Sequence, residues 1–224
     1  MSSADAQPIA VTIPDQPTVS GLLMVPRKAH AAYVMAHGAG AGMVHPFLAD
    51  MADGLAERGI ATLRYQFPFM ERASRRPDSP KVAQAAVRAA VAEAARRLPG
   101  LPLFAGGKSF GGRMTSQAQA LTPLPELRGL VFLGFPLHPA KKPSPERGQH
   151  LFDVEIPMLF LQGTRDELAD VTLLDPLCRN LGERATLKLF PPADHAFHVP
   201  ARSGQTDAGV RIQLLDTMAE WMSQ

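Results

Sequence analysis

The chain has 224 residues, of which 46% are hydrophobic and 20% are charged, and its formal net charge at pH 7 is +2. This composition is typical of a globular protein and excludes a largely disordered one. The charge is too small to indicate nucleic-acid binding. A single cysteine, Cys178, excludes an internal disulfide and a CxxC zinc or redox site. The length favours one domain, which we assign to residues 1–224.

The first residues, MSSADAQPIAVTIPDQP, lack the basic and apolar regions of a secretory signal. No stretch of the sequence approaches the roughly 18 apolar residues of a membrane-spanning helix. We therefore expect a cytoplasmic protein with no membrane partner and no nucleic-acid partner. The sequence does not indicate an oligomeric state.

The first elements in chain order are two short strands, Ile9–Ile13 and Thr18–Val25, on either side of a turn signal at Asp15-Gln16-Pro17. This pattern predicts an antiparallel hairpin at the edge of a sheet. Six apolar runs follow, most of them without polar alternation, which is typical of strands buried on both faces. They are Ala31–Ala36, Ile60–Leu63, Leu101–Ala105, Leu130–Phe135, Ile156–Leu161 and Thr186–Phe190.

Helical patterns lie between and after these runs: Pro46–Arg58, Pro80–Leu98, Arg113–Leu121, Leu168–Leu181 and Thr206–Met222. The alternation predicts an α/β fold with a mostly parallel sheet of about eight strands and helices on both faces. Two irregular stretches, Gln66–Ser79 and Pro136–Val154, follow strand C-termini, where ligands bind in open sheets of this kind.

The motif with the clearest chemical meaning is Gly107-Lys108-Ser109-Phe110-Gly111, which lies between a predicted strand and a predicted helix. A GxSxG motif on such a turn is typical of a nucleophile elbow. A tight turn lifts the serine hydroxyl above the sheet edge, and small residues on either side allow the strand and helix to approach. We therefore predict Ser109 as a nucleophile. A glycine-rich turn with Ser109 as a helix cap is the alternative.

A serine nucleophile needs a base and an acid that orients the base. In a nucleophile-elbow fold these follow in the chain order serine, acid, histidine. Asp166 follows the predicted strand Ile156–Leu161, and His195 follows the last predicted strand. The alternatives are Glu167 for the acid, with Asp170 and Asp175 less favoured because they fall in a helical pattern, and His198 for the base.

An oxyanion hole should combine the N–H of the residue after the nucleophile, here Phe110, with an N–H from an early loop. The loop His37-Gly38-Ala39-Gly40 has the small residues that this role requires. Ala39 is the candidate donor, with Gly38 as the alternative. The loop lacks the Lys-Ser/Thr ending of a phosphate-binding loop and the spacing of a dinucleotide loop.

Several basic residues lie near the predicted site in the sequence. The candidate substrate-binding residues are His37, Arg64, Lys108 and Arg113. Further basic residues lie in the irregular stretches: Arg72, Arg75, Arg76, Lys141, Lys142 and Arg147. A positive rim would favour an anionic substrate, and an ordinary solvated surface is the alternative. No His, Asp and Glu residues have metal-ligand spacing, so we expect neither a metal nor a cofactor.

The stretches HGAGAGMVHPF, LRYQFPFM, GGKSFGGRM, GTRDEL and ADHAF resemble the α/β-hydrolase family, and the resemblance covers nearly the whole chain. Within the family the sequence is similar to the small dienelactone-hydrolase-related branch, and most to the subgroup with Tex-type and NSL-complex regulatory-subunit-like proteins. The resemblance implies an α/β-hydrolase fold and a triad of Ser109, Asp166 and His195. Dienelactone hydrolases have a cysteine nucleophile, so their substrate is not carried over.

The segment GFPLHPAKKPSPERGQHLFDVE is too short for a helical lid domain, so we expect little or no cap. Together these features predict a serine hydrolase of the carboxylesterase or thioesterase type. It would cleave a small ester through an acyl-enzyme. The basic rim of the site would favour an anionic ester. The alternative from another class is a non-catalytic binding or scaffold protein with the same fold. A peptidase is disfavoured, since no lid or propeller domain is present to select peptides.

Overall fold

A computed structural model describes residues 5–224. Its eight strands are β1 (Gln7–Val11), β2 (Val19–Met24), β3 (Ala31–Ala36), β4 (Ile60–Tyr65), β5 (Leu103–Lys108), β6 (Leu127–Leu133), β7 (Met158–Gly163) and β8 (Ala185–Phe190). They form one sheet in the order β1-β2-β4-β3-β5-β6-β7-β8. The hairpin β1–β2 and the pair β2–β4 are antiparallel, and the strands from β4 to β8 are parallel. The predicted fold class is confirmed.

The α-helices within residues 5–224 are α1 (Pro46–Glu57), α2 (Pro68–Glu71), α3 (Pro80–Arg97), α4 (Phe110–Leu121), α5 (Val171–Leu181) and α6 (Asp207–Met222). One buried cluster joins the sheet to α3, α4 and α5, and a second joins it to α1 and α6. The helices therefore cover both faces of the sheet. Every residue of β3, β4 and β7 is buried, which explains why these strands show no polar alternation.

Side chains at the helix starts explain several boundaries. The ring of His45 accepts a hydrogen bond from the N–H of Phe47 at the start of α1, and Pro46 occupies the first turn. Asp170 accepts from the N–H of Thr172, so α5 begins at Val171 rather than at the expected Leu168. Helix α4 begins directly after Ser109 rather than at Arg113, which makes the turn between β5 and α4 as short as a single residue.

The segment between β6 and β7 contains one 3-10 helix, Glu146–Asp153, whose Leu151 is buried in the same cluster as the residues of α4 and α5. It is not a lid domain. Because the parallel strands share one direction, the loops that follow β3, β5, β7 and β8 meet at the same edge of the sheet. That edge holds the predicted site. No helix within residues 5–224 is long and apolar enough to cross a membrane.

Candidate active site

Ser109 occupies the turn between β5 and α4 with φ 50° and ψ −115°. A positive φ is unusual for a residue with a side chain and is a source of local strain that functional sites often contain. The turn is held by the N–H of Ser109, which donates to the carbonyl of Leu133 over 3.1 Å, and by its own carbonyl, which accepts from Arg113 over 3.1 Å. The backbone contacts fix the position of Ser109, which lines a cavity.

Gly107 and Gly111, two residues on either side of Ser109, allow this turn to pack against β3. Gly107 has φ +136°, and a Cβ atom there would overlap the backbone of Ala36. A Cβ atom on Gly111 would lie 2.6 Å from the carbonyl oxygen of His37 and 2.7 Å from the carbonyl carbon of Ala36. Larger residues would push the turn away from β3, so the two glycines of the motif are required by close contact.

His195 lies in a short loop after β8 that is closed by its own hydrogen bonds. A carboxylate oxygen of Asp194 accepts from the N–H groups of Ala196 and His198, at 2.8 and 2.9 Å. The N–H of Asp194 donates to the carbonyl of His198 over 3.0 Å. The loop therefore behaves as a compact unit that presents the imidazole of His195, whose side chain is 26% exposed.

Asp166 follows β7 and meets His195. Its Oδ2 atom lies 2.6 Å from Nδ1 of His195, and its side chain is fully buried. The same carboxylate accepts from Nε2 of Gln162 over 2.5 Å and, at Oδ1, from the N–H of Leu168 over 2.7 Å. These donors hold the carboxylate in one orientation.

The alternative residues have other positions or partners, although His198 also lines the cavity. Glu167 is exposed, Asp170 caps α5, and Asp175 pairs with Arg179 on the exposed surface of that helix. His198 lies 2.6 Å from Asp207 with 68% of its side chain exposed, and the hydrogen bond to Asp207 raises its pKa. Among the candidates, Asp166 and His195 are the pair that the structure brings together beside Ser109.

Ser109 and His195 line the same cavity, and within residues 5–224 they make no direct hydrogen bond to each other. Catalytic hydrogen bonds of this kind are often long in the absence of substrate and shorten when substrate is bound. The arrangement thus contains a buried carboxylate, an oriented imidazole and a strained serine at one sheet edge.

The loop after β3 lies beside the serine. A Cβ atom on Gly38 would be 3.8 Å from Cβ of Ser109, which places the loop in contact with the elbow. Ala39 lines the cavity. Phe110 is the first residue of α4, and the first N–H groups of a helix have no partner within it. The two candidate oxyanion donors therefore flank Ser109 from two different elements.

His37 is fully buried under this loop and does not line the cavity. Its Nε2 atom accepts from the N–H of Phe67 over 2.9 Å, so the proton resides on Nδ1, which donates to the carbonyl of Gly38 over 2.7 Å. Burial lowers the pKa of His37 to about 4. The neutral ring fixes the peptide between Gly38 and Ala39 rather than contacting a ligand.

The other predicted substrate-binding residues differ in position. Arg64 is buried and donates to the carbonyl of Met43 over 3.2 Å, and Arg113 lies on α4 close to Arg147. Neither lines the cavity. Lys108 does line it, but its ammonium group donates to the carbonyl of His195 over 2.5 Å. The expected direct contacts of His37, Arg64 and Arg113 with a ligand in this cavity are thus not found, because none of these side chains lines it.

The cavity has a volume of about 700 Å³. Beyond Ser109 and His195, much of its wall is apolar and comes from α1, α6 and the loops after β7 and β8. The apolar lining residues include Phe47, Leu48, Leu168, Phe197 and Leu214. The rings of Phe47 and Phe197 are nearly parallel, with centroids 6.0 Å apart. Its charged lining includes the ion pair Arg211–Asp50, at 2.8 Å. The predicted basic rim residues after β4 and β6 do not line it.

Within the described residues, no group of three or more His, Cys, Asp or Glu side chains is arranged to hold a metal ion. The sequence family described as an alpha/beta hydrolase domain matches residues 29–223. The chain belongs to the alpha/beta hydrolase family.

This alpha/beta hydrolase is similar to several solved structures over almost its whole length. It is 20% identical to dienelactone hydrolase from Anabaena variabilis, covering 99% of this chain and 98% of that one with a TM-score of 0.81. It is 21% identical to a serine hydrolase without a lid from Xanthomonas campestris, covering 97% and 95% with a TM-score of 0.74. It is 15% identical to Est1E from Butyrivibrio proteoclasticus, covering 97% and 99% with a TM-score of 0.70. At these identities the similarity establishes a shared fold.

Gln162 is a residue of the site in this alpha/beta hydrolase that the sequence motifs did not indicate. It is fully buried in β7, where its Oε1 atom accepts from the N–H of Phe135 and its Nε2 atom donates to Asp166. The available signal was a polar residue at the end of an apolar strand, MLFLQG. A buried amide needs partners, and here it orients the carboxylate.

Proposed function

We propose that this alpha/beta hydrolase cleaves carboxylic esters or thioesters of small molecules through Ser109, His195 and Asp166. The observation that carries the proposal is the 2.6 Å contact between His195 and the fully buried Asp166. His195 lines the same cavity as Ser109, whose φ is positive. The combination of nucleophile, base and orienting acid is the one that acyl transfer needs.

In the proposed reaction, Oγ of Ser109 attacks the acyl carbon and His195 takes the serine proton at Nε2. Asp166 keeps the other proton on Nδ1 and stabilises the imidazolium that forms. The N–H groups of Phe110 and Ala39 donate to the oxyanion. The imidazolium then protonates the leaving alcohol or thiol. In the second half of the reaction His195 takes a proton from water, the water oxygen attacks the acyl carbon, and the imidazolium returns the proton to Oγ of Ser109 as the carboxylic acid leaves.

The apolar wall of the cavity supports an ester that carries an apolar acyl or alcohol group. The side chains of Phe47 and Phe197 offer nearly parallel rings, which suit a flat or aliphatic substituent. The sequence prediction of an anionic substrate has less support, because the two cations in the lining are engaged: Arg211 pairs with Asp50, and Lys108 donates to His195.

A non-catalytic scaffold is the alternative function, and it would accompany the narrower resemblance to the Tex-type and NSL-complex regulatory-subunit-like subgroup. The buried Asp166 argues against it. Burying a carboxylate away from water is costly, and here its partners include the imidazole of His195. A scaffold has no physical need for this pair beside a strained serine.

A fluorophosphonate probe separates the two functions, because it reacts with an activated serine hydroxyl. We expect the wild-type protein to be labelled and Ser109→Ala not to be labelled. Ser116→Ala is the matched control, since Ser116 on α4 also contacts a histidine, with its Oγ 2.7 Å from Nε2 of His150, but is fully buried. Labelling should survive this change. An unlabelled wild-type protein would support the scaffold.

A further inference from the structure

We propose that Lys108 is a positioning residue for His195, tying the loop of the base to the strand that carries the nucleophile. The inference rests on the proposed function, because it concerns the same reaction. Lys108 is the last residue of β5 and directly precedes Ser109. Its side chain crosses to the loop after β8, 87 residues away in sequence.

Two contacts hold this side chain in the loop. The ammonium group donates to the main-chain carbonyl of His195 over 2.5 Å, and it lies 5.5 Å from the ring centroid of Phe197. Hydrogen bonds from a charged donor are shorter and stronger than neutral ones, and a cation over an aromatic face adds attraction. Lys108 therefore contacts the loop at two residues, His195 and Phe197.

Gly134 leaves space for this junction. It follows β6 with φ +70°, and a Cβ atom there would lie 2.9 Å from Nζ of Lys108 and 3.3 Å from Nδ1 of His195. A side chain at this position would displace the ammonium group or the imidazole. The backbone after β6 thus passes close to both groups and confines them to one arrangement.

The loop is closed by the hydrogen bonds of Asp194, so holding the carbonyl of His195 restrains the whole unit. The nucleophile and the base are then connected through one side chain rather than through the sheet alone. A displacement of about 1 Å in such a geometry can slow a reaction by roughly 100-fold. The expected effect of losing Lys108 is a lower kcat with little change in KM.

The charge of Lys108 changes with pH near pH 8. Burial lowers its pKa to about 8, against the opposing charges of Asp166 and Asp194. These two carboxylates and the imidazole of His195 are the titratable groups that face it. As the pH rises through about 8, the ammonium becomes an amine, and the bond to the carbonyl loses its charge. Activity should then decline.

The test compares kcat and KM for a neutral p-nitrophenyl ester between pH 6 and pH 10 in wild type, Lys108→Met and Lys142→Met. Methionine keeps most of the length of the side chain without the ammonium group, and Lys142 is an exposed lysine outside the cavity. At pH 7 we expect kcat of Lys108→Met to fall by about 10- to 100-fold with KM within about twofold. Its pH profile should lack the decline near pH 8, while Lys142→Met should match the wild type.

Thermal melting shows whether Lys108→Met remains folded, and Lys108→Arg carries the test if it does not. Arginine stays charged beyond pH 12, so this variant should keep activity above pH 8, where the wild type declines. A Lys108→Met protein with wild-type kcat, or a Lys108→Arg protein with the same decline near pH 8, would overturn the inference alone. Failure of the fluorophosphonate probe to label the wild type would overturn the proposed function and this inference with it.

Discussion

The main-chain N–H of Phe67 donates to Nε2 of His37 over 2.9 Å, and this contact determines where the proton of the buried ring lies. With Nε2 acting as acceptor, Nδ1 carries the proton and donates to the carbonyl of Gly38. The carbonyl and the N–H of one trans peptide point in opposite directions. His37 therefore sets the direction of the N–H of Ala39, the proposed oxyanion donor.

We predict that His37→Phe lowers kcat by about 10- to 100-fold with a small change in KM. Phenylalanine keeps a ring against Phe67 and Phe69 but cannot hold the carbonyl of Gly38, so the peptide is free to turn. The loss of one oxyanion donor costs roughly 100- to 1,000-fold, and a misplaced donor should cost less. His30→Phe, at an exposed histidine, is the control. Equal kcat values for His37→Phe and wild type would contradict this role.

The buried ring also predicts how stability depends on pH. The pKa of His37 is about 4 in the folded protein, below its ordinary value of 6.5. The unfolded chain therefore binds a proton first as the pH falls below about 6.5. The free energy of unfolding should decrease between pH 6.5 and pH 4, by up to about 3 kcal/mol from this residue.

Urea unfolding at pH 7, 5.5 and 4.5 measures this dependence. His150 has a similarly lowered pKa, caused first by burial, and carboxylates add their own slope. The informative quantity is thus the free energy of unfolding of the wild type minus that of His37→Phe. This difference should decrease as the pH falls from 7 to 4.5. A constant difference would mean that His37 accepts a proton in the folded state as easily as in the unfolded one.

The orienting acid gives a further prediction. Asp166→Asn should reduce kcat by about 10⁴-fold, because an amide would favour the wrong tautomer of His195. Glu167→Gln is the matched control one residue away, and it should retain wild-type kcat because its side chain is exposed. Steady-state kinetics with one activated ester measure both. A larger loss in the Glu167 variant would make the assignment of Asp166 wrong.

Much of the fold followed from the sequence, since apolar runs and capped helical patterns depend on local periodicity. The eight strands and the hairpin at the edge were predicted, with boundaries wrong by a few residues. Leu101 and Ile156 precede β5 and β7, because the strands begin only where ladder partners exist. The order of Ser109, Asp166 and His195 was also available from the motifs, and their roles remain proposals.

The contacts that depend on loop conformation could not be predicted. Lys108 was expected to face a substrate, yet its side chain crosses to the carbonyl of His195. That path depends on the positive φ of Gly134 and on the closed loop of Asp194, which no periodic pattern encodes. The basic residues Arg72 and Lys142 were expected at the rim by position along the chain. The cavity opens instead toward α1 and α6.

Substrate choice is the next prediction. We expect a neutral butanoate ester to be cleaved with a kcat/KM at least about tenfold above that of a matched ester whose acyl chain ends in a carboxylate. The apolar wall would have to desolvate the charge without a free cation to pair it. Phe47→Ala should reduce this preference. A preference for the anionic ester that weakens with added salt would instead support the positive rim expected from the sequence.

The central claim, acyl transfer to Ser109, is tested most directly by trapping the acyl-enzyme. The protein is mixed with p-nitrophenyl acetate, and the reaction is quenched in acid within the first turnovers. The protein is then digested, and the peptide masses are measured by mass spectrometry. The account predicts one acetyl group on the peptide that contains Ser109, and none in Ser109→Ala, whose turnover should be lower by several orders of magnitude. Wild-type turnover in the Ser109→Ala protein, or an acetyl group confined to another residue, would contradict it.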